Sequence, residues 1–493
     1  MSEREGAAGP GPSGSSEERG AEAREGGAAQ APQRERDDSL REAVKDCVHC
    51  GFCLPACPTY QLWGEEMDSP RGRIHLVSQV LDGAPLTSAA AAHFDRCLGC
   101  MACMTACPSG VKYDVLIEAA RGWTEGASRD ALPGARPSAG PGARPDAPPG
   151  APSGEGARRP LRDRVTRAAI FAVFPYPRRL RALTGPLRVA QRTGADRWLA
   201  GTGLPARVSP AAQAALRLAP PAGLTASPTG RLPARVPTRG ARRAVVGMLT
   251  GCVQSVFFPG VNAATARVLA AEGCDVIIPR QQGCCGALSL HSGRSGEAER
   301  FARAAIEVFE QASVDAIVVN SAGCGSAMKE YGRLLAGDPA WAGRAEALSA
   351  RVRDLAEFLS DLGPVAERHP LPVTAAYHDA CHLGHAQRVT RQPRSLLAAI
   401  PQLRLVELPD AGMCCGSAGV YNLLQPDAAQ ALGERKADSV LAAQAQLLIS
   451  ANPGCTLQIS AALAGQGEAV ATAHTAEVLD ASIRGLRPSW ATR

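Results

Sequence analysis

The sequence predicts a helical, cysteine-rich domain followed by two copies of an α/β unit. Eight cysteines fall in two identical runs within residues 38–123. Short apolar segments then alternate with helix-like segments over residues 241–365, and the same order returns over residues 366–485. This alternation is typical of mainly parallel sheets with helices packed on them. A chain of 493 residues is long enough to bury a core in each of these units.

The remaining segments differ in composition from these three units. Residues 1–37 contain almost no large apolar side chain and predict a disordered tail. Residues 124–160 are rich in Pro and Gly and predict a disordered linker. Residues 161–240 predict a basic helical connector that leads into the first α/β unit.

Composition also excludes several classes of protein. Aromatic residues make up only 4% of the chain, which argues against an aromatic platform for nucleic acid. The longest apolar runs fall far short of the ~20 residues that a membrane span needs, and the N-terminus is polar, unlike a secretory signal. Seventeen cysteines would not stay paired as disulfides in a reducing compartment, so we expect a cytoplasmic protein with metal or redox chemistry.

The two N-terminal cysteine runs both read C-x2-C-x2-C-x3-C-P, the pattern of bacterial two-cluster ferredoxins. A zinc ribbon is the alternative, but it needs paired C-x2-C knuckles around one ion. In the ferredoxin pattern the fourth cysteine of each run binds the other cluster. We therefore predict two [4Fe-4S] clusters, one held by Cys47, Cys50, Cys53 and Cys107, and the other by Cys97, Cys100, Cys103 and Cys57. The long interval between the runs, with helix-like sequence at 74–81, favours a helical ferredoxin-like domain.

Each α/β unit contains a further set of four cysteines at matching intervals. The first set is Cys252, Cys284, Cys285 and Cys324, and the second is Cys381, Cys414, Cys415 and Cys455. All follow predicted strands, so they should meet at the C-terminal edge of each sheet. Four thiolates suit a further iron-sulfur cluster, with the glycine-flanked second set as the better candidate, and thiols without metal are the alternative.

Several other polar residues have a structural and a functional interpretation. His378, Asp379, His382 and His385 crowd around Cys381. They predict helix capping after a strand, with a metal or proton role as the alternative. Tyr331 is interpreted as a packing residue. The one cysteine outside both sets, Cys274, is interpreted as a buried thiol.

The predicted connector carries a strong positive charge. Over residues 158–197 arginines greatly outnumber acids, and Phe171, Val173, Phe174, Leu180 and Leu183 are interleaved with them. Such a helix either packs on the rest of the protein or a partner, or lies peripherally on the inner face of the cell membrane.

The two α/β units resemble the cysteine-rich CCG domains. These occur in heterodisulfide reductase subunits, in some quinone-reducing enzymes and in lactate and glycolate oxidation complexes. The fuller motif of that family ends in C-x-x-C. Here Cys324 is followed by Gly-Ser-Ala and Cys455 by Thr-Leu-Gln, so the final cysteine is missing from both repeats. That departure speaks against the enlarged cluster of heterodisulfide reductases.

Longer segments resemble the iron-sulfur subunits of bacterial glycolate oxidase. The likeness covers about 38–123 and 161–480, and the segments that carry it are 47–61 (CVHCGFCLPACPTYQ), 68–74 (DSPRGRI), 262–269 (NAATARVL), 283–286 (GCCG), 329–332 (KEYG) and 414–419 (CCGSAG). The resemblance implies an electron-transfer subunit whose partners are a flavoprotein catalytic subunit and a second flavoprotein-like subunit.

The residues themselves indicate an electron carrier without a catalytic site of its own. We find no flavin or nicotinamide fingerprint, and no pairing of nucleophile and base, so no catalytic residue is predicted. A flavin partner would oxidise glycolate to glyoxylate, and the clusters would carry the electrons to a quinone or another acceptor. The alternatives are the iron-sulfur subunit of a glycerol-3-phosphate or D-lactate dehydrogenase complex, a heterodisulfide-reductase-like thiol/disulfide enzyme, and a zinc-stabilised scaffold.

Overall fold

The computed structural model describes residues 37–129, 159–202, 205, 207, 209–220 and 232–488. All but the last residue of the predicted tail, 1–37, lies outside these ranges. Residues 130–158 of the predicted linker lie outside them as well. Within the described residues, no helix combines the length and the apolar character that a membrane crossing requires.

The N-terminal unit is built from short helices around a small apolar core. Residues 37–45 are helical, and the following helices are α1 (Pro58–Trp63), α2 (Pro70–Leu81), α3 (Ser88–Arg96), α4 (Ala102–Ala106) and α5 (Tyr113–Arg129). Helix α2 begins where the Ser69 hydroxyl accepts a 3.0 Å hydrogen bond from the Gly72 amide, with Pro70 in the first turn. Phe94 and Leu116 are fully buried between the helices. Helix α5 continues six residues into the predicted linker.

The connector folds as helices against the rest of the chain. These helices are α6 (Leu161–Val173), α7 (Pro177–Thr193), α8 (Ala195–Gly201) and α9 (Pro210–Arg217). Phe171 packs in a small cluster with Val420, while Leu180 joins the large core of the α/β units. Leu183 stays 55% exposed. The apolar residues of this segment are therefore divided between internal packing and the surface.

The first repeat contains a five-stranded sheet in the order β1-β3-β2-β4-β5. Its strands are β1 (Arg235–Val236), β2 (Ala244–Leu249), β3 (Cys274–Ile277), β4 (Ala316–Val319) and β5 (Val352–Asp354). Strand β1 runs antiparallel to β3, and the other pairings are parallel. Its helices are α10 (Gln254–Phe257), α11 (Pro259–Ala271), α12 (Ala287–Leu290), α13 (Ser295–Gln311), α14 (Ala322–Lys329), α15 (Tyr331–Leu334), α16 (Ala342–Ser349) and α17 (Leu355–Leu362).

The second repeat contains a four-stranded parallel sheet in the order β7-β6-β8-β9. Its strands are β6 (Val373–His378), β7 (Leu403–Val406), β8 (Leu447–Ser450) and β9 (Ala471–Ala473). Its helices are α18 (Arg391–Ala398), α19 (Tyr421–Leu424), α20 (Pro426–Ala442), α21 (Pro453–Gly465) and α22 (Thr475–Ile483), and a π-helical turn covers His382–Ala386. The predicted duplication is thus present as two sheets of closely similar topology.

Three short strands were not anticipated from the sequence. Strands β1, β5 and β9 contain two or three residues each, too few to show a periodic pattern. Strand β1 also lies inside the predicted connector, so the first sheet begins before residue 241. Backbone pairing with a longer neighbour, rather than sequence pattern, fixes these strands.

The two repeats share one core and are held together by polar contacts. Helix α11 packs against α22, where Arg267 Nη2 donates a 2.6 Å hydrogen bond to Asp480 Oδ2. His474 Nε2 donates a 2.8 Å hydrogen bond to the Asn320 carbonyl, and burial lowers the pKa of His474 to about 4. The neutral imidazole therefore ties the end of one sheet to that of the other.

The N-terminal unit contacts both repeats. Arg121 Nη1 donates a 2.7 Å hydrogen bond to the His291 carbonyl, and the Tyr421 hydroxyl donates a 3.0 Å bond to the Arg96 carbonyl. At Gly293 the backbone φ is +78°, and an added Cβ would lie 2.4 Å from the Arg121 carbonyl oxygen. Only glycine fits this approach, which holds α5 close to the first repeat.

Candidate metal centres

The two N-terminal cysteine runs form loops of the same shape. In each run the third and fifth residues have positive φ: His49 at 55° and Gly51 at 84° in the first, and Gly99 at 65° and Met101 at 61° in the second. These left-handed residues curl the backbone so that three thiols face one side. Each run has a glycine at only one of the two positions, and His49 and Met101 accept the strain of the other.

The first group of thiols opens on the surface. Cys47, Cys50 and Cys53 line one cleft, and Cys107 from the second run lines it too. Cys103, Pro108 and Tyr113 complete its wall. Cys50 is exposed, and burial raises the pKa of Cys53 to about 11. The cleft therefore contains the four cysteines that the sequence assigned to one cluster, together with Cys103 from the other set.

The second group of thiols is buried. Cys57, Cys97, Cys100 and Cys103 are each only 6–8% exposed. Burial raises the pKa of Cys103, and the neighbouring thiols of Cys100, Cys97, Cys57 and Cys53 raise it further. Cys103 therefore lies near the other thiols of its predicted set and near Cys53 of the first group.

Two buried arginines stand beside the second group, and the sequence analysis did not identify them. The Arg73 guanidinium donates hydrogen bonds to the Asp68 carboxylate, at 3.1 Å, and to the His93 carbonyl, at 2.7 Å. Arg121 donates to the carbonyl of Cys97 itself. Burial would raise the pKa of Cys97, but the charges of Arg73 and Arg121 outweigh burial and lower it. A DSPRGR segment directly after the first run was the available signal.

The donor chemistry of both groups fits a 4Fe-4S cluster. All seventeen cysteines carry free thiols, so each group offers four sulfur ligands. Arg73 and Arg121 supply positive charge where a cluster with four thiolates adds negative charge.

The first repeat gathers its four cysteines at the C-terminal edge of its sheet. Cys252 follows β2, Cys284 and Cys285 follow β3, and Cys324 lies in α14 after β4. The Cys252 and Cys284 sulfurs are 3.6 Å apart. Hydrogen bonds from the thiols of Cys284 and Cys324 lower the pKa of Cys285. Tyr331 donates a 2.6 Å bond to the Cys285 carbonyl, so it orients this backbone as well as packing.

The second repeat repeats this arrangement with additional polar residues. The Cys381 and Cys414 sulfurs are 4.0 Å apart, and the Asn452 amide donates to Cys455 at 3.4 Å. Hydrogen bonds from the thiols of Cys414 and Cys455 lower the pKa of Cys415. One ring nitrogen of His378, at the end of β6, lies within 4.8 Å of the sulfurs of Cys415 and Cys455. The predicted capping role does not describe it, because it caps no helix.

One buried thiol of the N-terminal unit and two thiols of the second repeat belong to the same cluster of side chains. Leu98, Cys100, Cys381, Cys414 and Tyr421 pack together there. Burial raises the pKa of Cys100, and the adjacent charge of Cys381 raises it further. No comparable contact joins Cys50 to a repeat within the described residues.

Three further predicted residues take other positions. His382 stacks on His291 with ring centroids 4.7 Å apart, where the N-terminal unit meets both repeats. His385 Nδ1 contacts the Thr105 hydroxyl at 2.9 Å. Cys274 lies fully buried in β3, away from both groups, as predicted for a packing thiol.

Known protein families match most of this chain. Residues 43–111 match the 4Fe-4S dicluster domain, and residues 246–329 and 375–460 match the cysteine-rich domain named CCG. Residues 162–219 match the linker region of the glycolate oxidase iron-sulfur subunit. The first match confirms the prediction of iron-sulfur clusters over zinc in the N-terminal unit.

Individual relatives extend over nearly the whole length. The probable glycolate oxidase iron-sulfur subunit of Bacillus subtilis is 33% identical over 88% of this chain and 93% of its own. The glycolate oxidase iron-sulfur subunit of Escherichia coli is 34% identical over 85% of this chain and 90% of its own length. Lactate utilization protein A of Exiguobacterium sp. is 34% identical but covers only 48% of this chain. The chain therefore belongs to the family of glycolate oxidase iron-sulfur subunits.

Proposed function

We propose that this chain is the electron-transfer subunit of a glycolate-oxidising complex. The observation that carries the proposal is the pair of four-thiol groups in the N-terminal unit, one open to solvent and the other packed against the second repeat. Such a pair can accept electrons at the surface and pass them inward. The near full-length relatives supply the substrate, glycolate.

Each of the two N-terminal thiol groups would bind one iron-sulfur cluster. Cys47, Cys50, Cys53 and Cys107 would hold the first [4Fe-4S] cluster, and Cys57, Cys97, Cys100 and Cys103 the second. A 4Fe-4S cluster, when bound, transfers single electrons. The helices around both groups support assigning this unit to the helical ferredoxin type.

The substrate chemistry requires a partner. Glycolate loses two electrons and two protons when it becomes glyoxylate, and a centre that takes single electrons cannot accept a hydride. A flavin-bearing partner subunit would therefore oxidise glycolate and release the electrons one at a time. A second flavoprotein-like subunit and a quinone acceptor follow from the same resemblance.

The surface of the first run is the proposed contact with that partner. Val48 and Phe52, the residues beside Cys50, are each 67% exposed. Apolar side chains next to an exposed cluster ligand allow a partner to approach closely and exclude water. Electrons would then pass from the first group to the second, and on toward Cys381.

Both repeats are proposed to bind metal through their own thiols. The 3.6 Å and 4.0 Å separations of Cys252 from Cys284 and of Cys381 from Cys414 suit two thiolates on one metal atom, because tetrahedral bonds of about 2.3 Å place their sulfurs at a similar spacing. Cys324 and Cys455 complete the two sets. A further iron-sulfur cluster in the repeats is consistent with these ligands.

The test uses the full chain, purified without oxygen. Alone, it should oxidise no glycolate with any dye acceptor. Mixed with its flavin-bearing partner and glycolate, it should lose the visible absorbance of its oxidised clusters. Turnover by the flavin-free chain, or no bleaching in the mixture, would refute the proposal.

Peripheral membrane contact is a second candidate for the connector. Leu161, Val165, Val189 and Trp198 are at least 60% exposed among its arginines, although Phe171 and Leu180 are buried. Basic helices with exposed apolar residues bind anionic lipid. Sedimentation with anionic vesicles at low salt tests this, and a variant with Val165, Val189 and Trp198 changed to Ser should stay in the supernatant.

A further inference from the structure

The two repeats differ at the last residue of two corresponding strands, β2 in the first sheet and β6 in the second. In the first repeat Leu249 ends β2 and pairs with Val319 of β4. In the second repeat His378 ends β6 and pairs with Ser450 of β8. An apolar pair in one sheet thus corresponds to a polar pair in the other. Both positions are buried, so the difference is not a matter of exposure.

His378 is buried without the partners that a buried imidazole needs. It is 1% exposed, and neither Nδ1 nor Nε2 makes a hydrogen bond of normal length among the described residues. The Cys415 thiol is near enough for the imidazole to lower its pKa. A buried polar group left without a hydrogen bond destabilises the fold. A ligand at this place would remove that cost. The first repeat avoids it with Leu249.

The surroundings of His378 contain two ligands of matching chemistry. One ring nitrogen of His378 and the sulfurs of Cys415 and Cys455 all lie within 4.8 Å of one another, and all three side chains are buried. Imidazole nitrogen and thiolate sulfur together suit zinc and iron. In the first repeat the equivalent set has the two thiols, Cys285 and Cys324, but a leucine in place of the histidine.

A buried ammonium group offsets the negative charge of these thiols. Lys436 of α20 is fully buried, donates to the Asp410 carbonyl, and interacts with the charges of Cys414, Cys415 and Cys455. The fold places Ala305 of α13 at the equivalent position, because Ala298 and Ala429 make the same contact with Gly286 and Gly416. The second repeat therefore gained a cation as well as an imidazole.

We propose that His378 is a metal ligand and that, with Cys415 and Cys455, it binds one metal atom through a mixed imidazole and thiolate shell. The metal atom is either a zinc ion or an iron of a sulfide-containing cluster, which share this ligand chemistry. The inference rests on the proposed metal binding of the second repeat. It sets the second repeat apart from the first, where Leu249 occupies the corresponding strand position.

The test is metal analysis of the full chain, purified without oxygen, for zinc, iron and acid-labile sulfide. The two N-terminal clusters should contribute about eight irons, and each repeat should add its own metal. His378→Leu should remove the metal of the second repeat and keep both the eight irons and the metal of the first repeat. Loss of about one zinc assigns a zinc ion, and loss of iron with sulfide assigns a cluster. The matched control is His75→Leu on the exposed face of α2, which should lose nothing.

A second variant separates ligation from folding. His378→Cys should keep the metal, because a thiolate can replace the imidazole. It should lose the nitrogen ligand that X-ray absorption at the zinc edge, or nitrogen hyperfine coupling to a paramagnetic cluster, detects in the unchanged protein. Full metal content in His378→Leu, a metal shell without nitrogen, or no metal beyond the N-terminal clusters would overturn the inference. If the chain without substitutions lacks these eight irons, the proposed electron-transfer function is contradicted instead.

Discussion

The two N-terminal cysteine runs have the same spacing and loop shape but opposite surroundings. Val48 and Phe52 of the first run are each 67% exposed, whereas Leu98 and Ala102 at the same positions of the second are each 5% exposed. The first run is therefore open to solvent and to a partner protein, whereas the repeats cover the second run. The spacing of the cysteines determines which cluster each run can bind. The packing around a run determines which electron donor or acceptor can reach that cluster.

Loss of the buried site should have the largest effect. Cys100→Ser should remove about four irons and lower the free energy of unfolding by about 4 kcal/mol or more, because Cys100 packs with Cys381 and Cys414 between two units. Cys50→Ser should also lose about four irons but destabilise less, since Cys50 is exposed. Iron analysis and thermal unfolding measure both effects. Equal destabilisation by the two variants would contradict the comparison.

The seal over the second run should weaken as the pH rises. Glu330 lies beside Glu118 of α5, and burial, reinforced by the Glu118 charge, raises the pKa of Glu330 to about 7. Its folded pKa lies above its unfolded value, so its proton stabilises the folded state at low pH. The free energy of unfolding should therefore fall by on the order of 1–3 kcal/mol between about pH 4.5 and pH 7.

Two variants check this pH dependence by denaturant unfolding at several pH values. Glu330→Gln should flatten the decline, because the amide has no proton to lose. Glu346→Gln, at an exposed position of the same repeat, should leave the decline unchanged. An unaltered slope in Glu330→Gln would show that another group is responsible.

Removal of the exposed aromatic residue should slow electron entry without changing the clusters. Phe52→Ala should reduce the rate of cluster reduction by the flavin partner about tenfold, the factor that 1.4 kcal/mol of docking energy gives. Val365→Ser, at a 64% exposed site of the linker between repeats, is the matched control. Stopped-flow absorbance measures the rate. A normal rate in Phe52→Ala would mean that the partner docks elsewhere.

The smallest expected effect concerns the charge around the buried run. Arg121→Gln should make the potential of the second cluster more negative, because it removes on the order of 1 kcal/mol of Coulomb stabilisation from the reduced state. Arg71→Gln, beside the first run and 29% exposed, should shift its cluster less, because water screens that charge. Redox titration followed by electron paramagnetic resonance compares the two. A larger shift from Arg71→Gln would reverse the comparison.

The sequence was sufficient for the parts of the fold that local pattern controls. The strands that lead to Cys252 and Cys381 are continuous apolar runs, and the spacing of the cysteines predicted their grouping. Burial of Arg73 and the contact of Cys100 with Cys381 were beyond reach, because they depend on how separate units pack. The sequence predicted helix capping for His378, because its burial beside the thiols of Cys415 and Cys455 also depends on packing.

In the proposed ligation, the fourth cysteine of each run binds the cluster of the other run, and this has a consequence for biosynthesis. The chain is made from its N-terminus at about 5–20 residues per second, so Cys47, Cys50 and Cys53 emerge well before their proposed fourth ligand, Cys107. The second set is likewise incomplete until Cys103 has been made. Neither cluster can be finished on a partial domain, and both become possible almost together. Cofactor loading should therefore follow synthesis of the whole N-terminal unit and proceed as a single event.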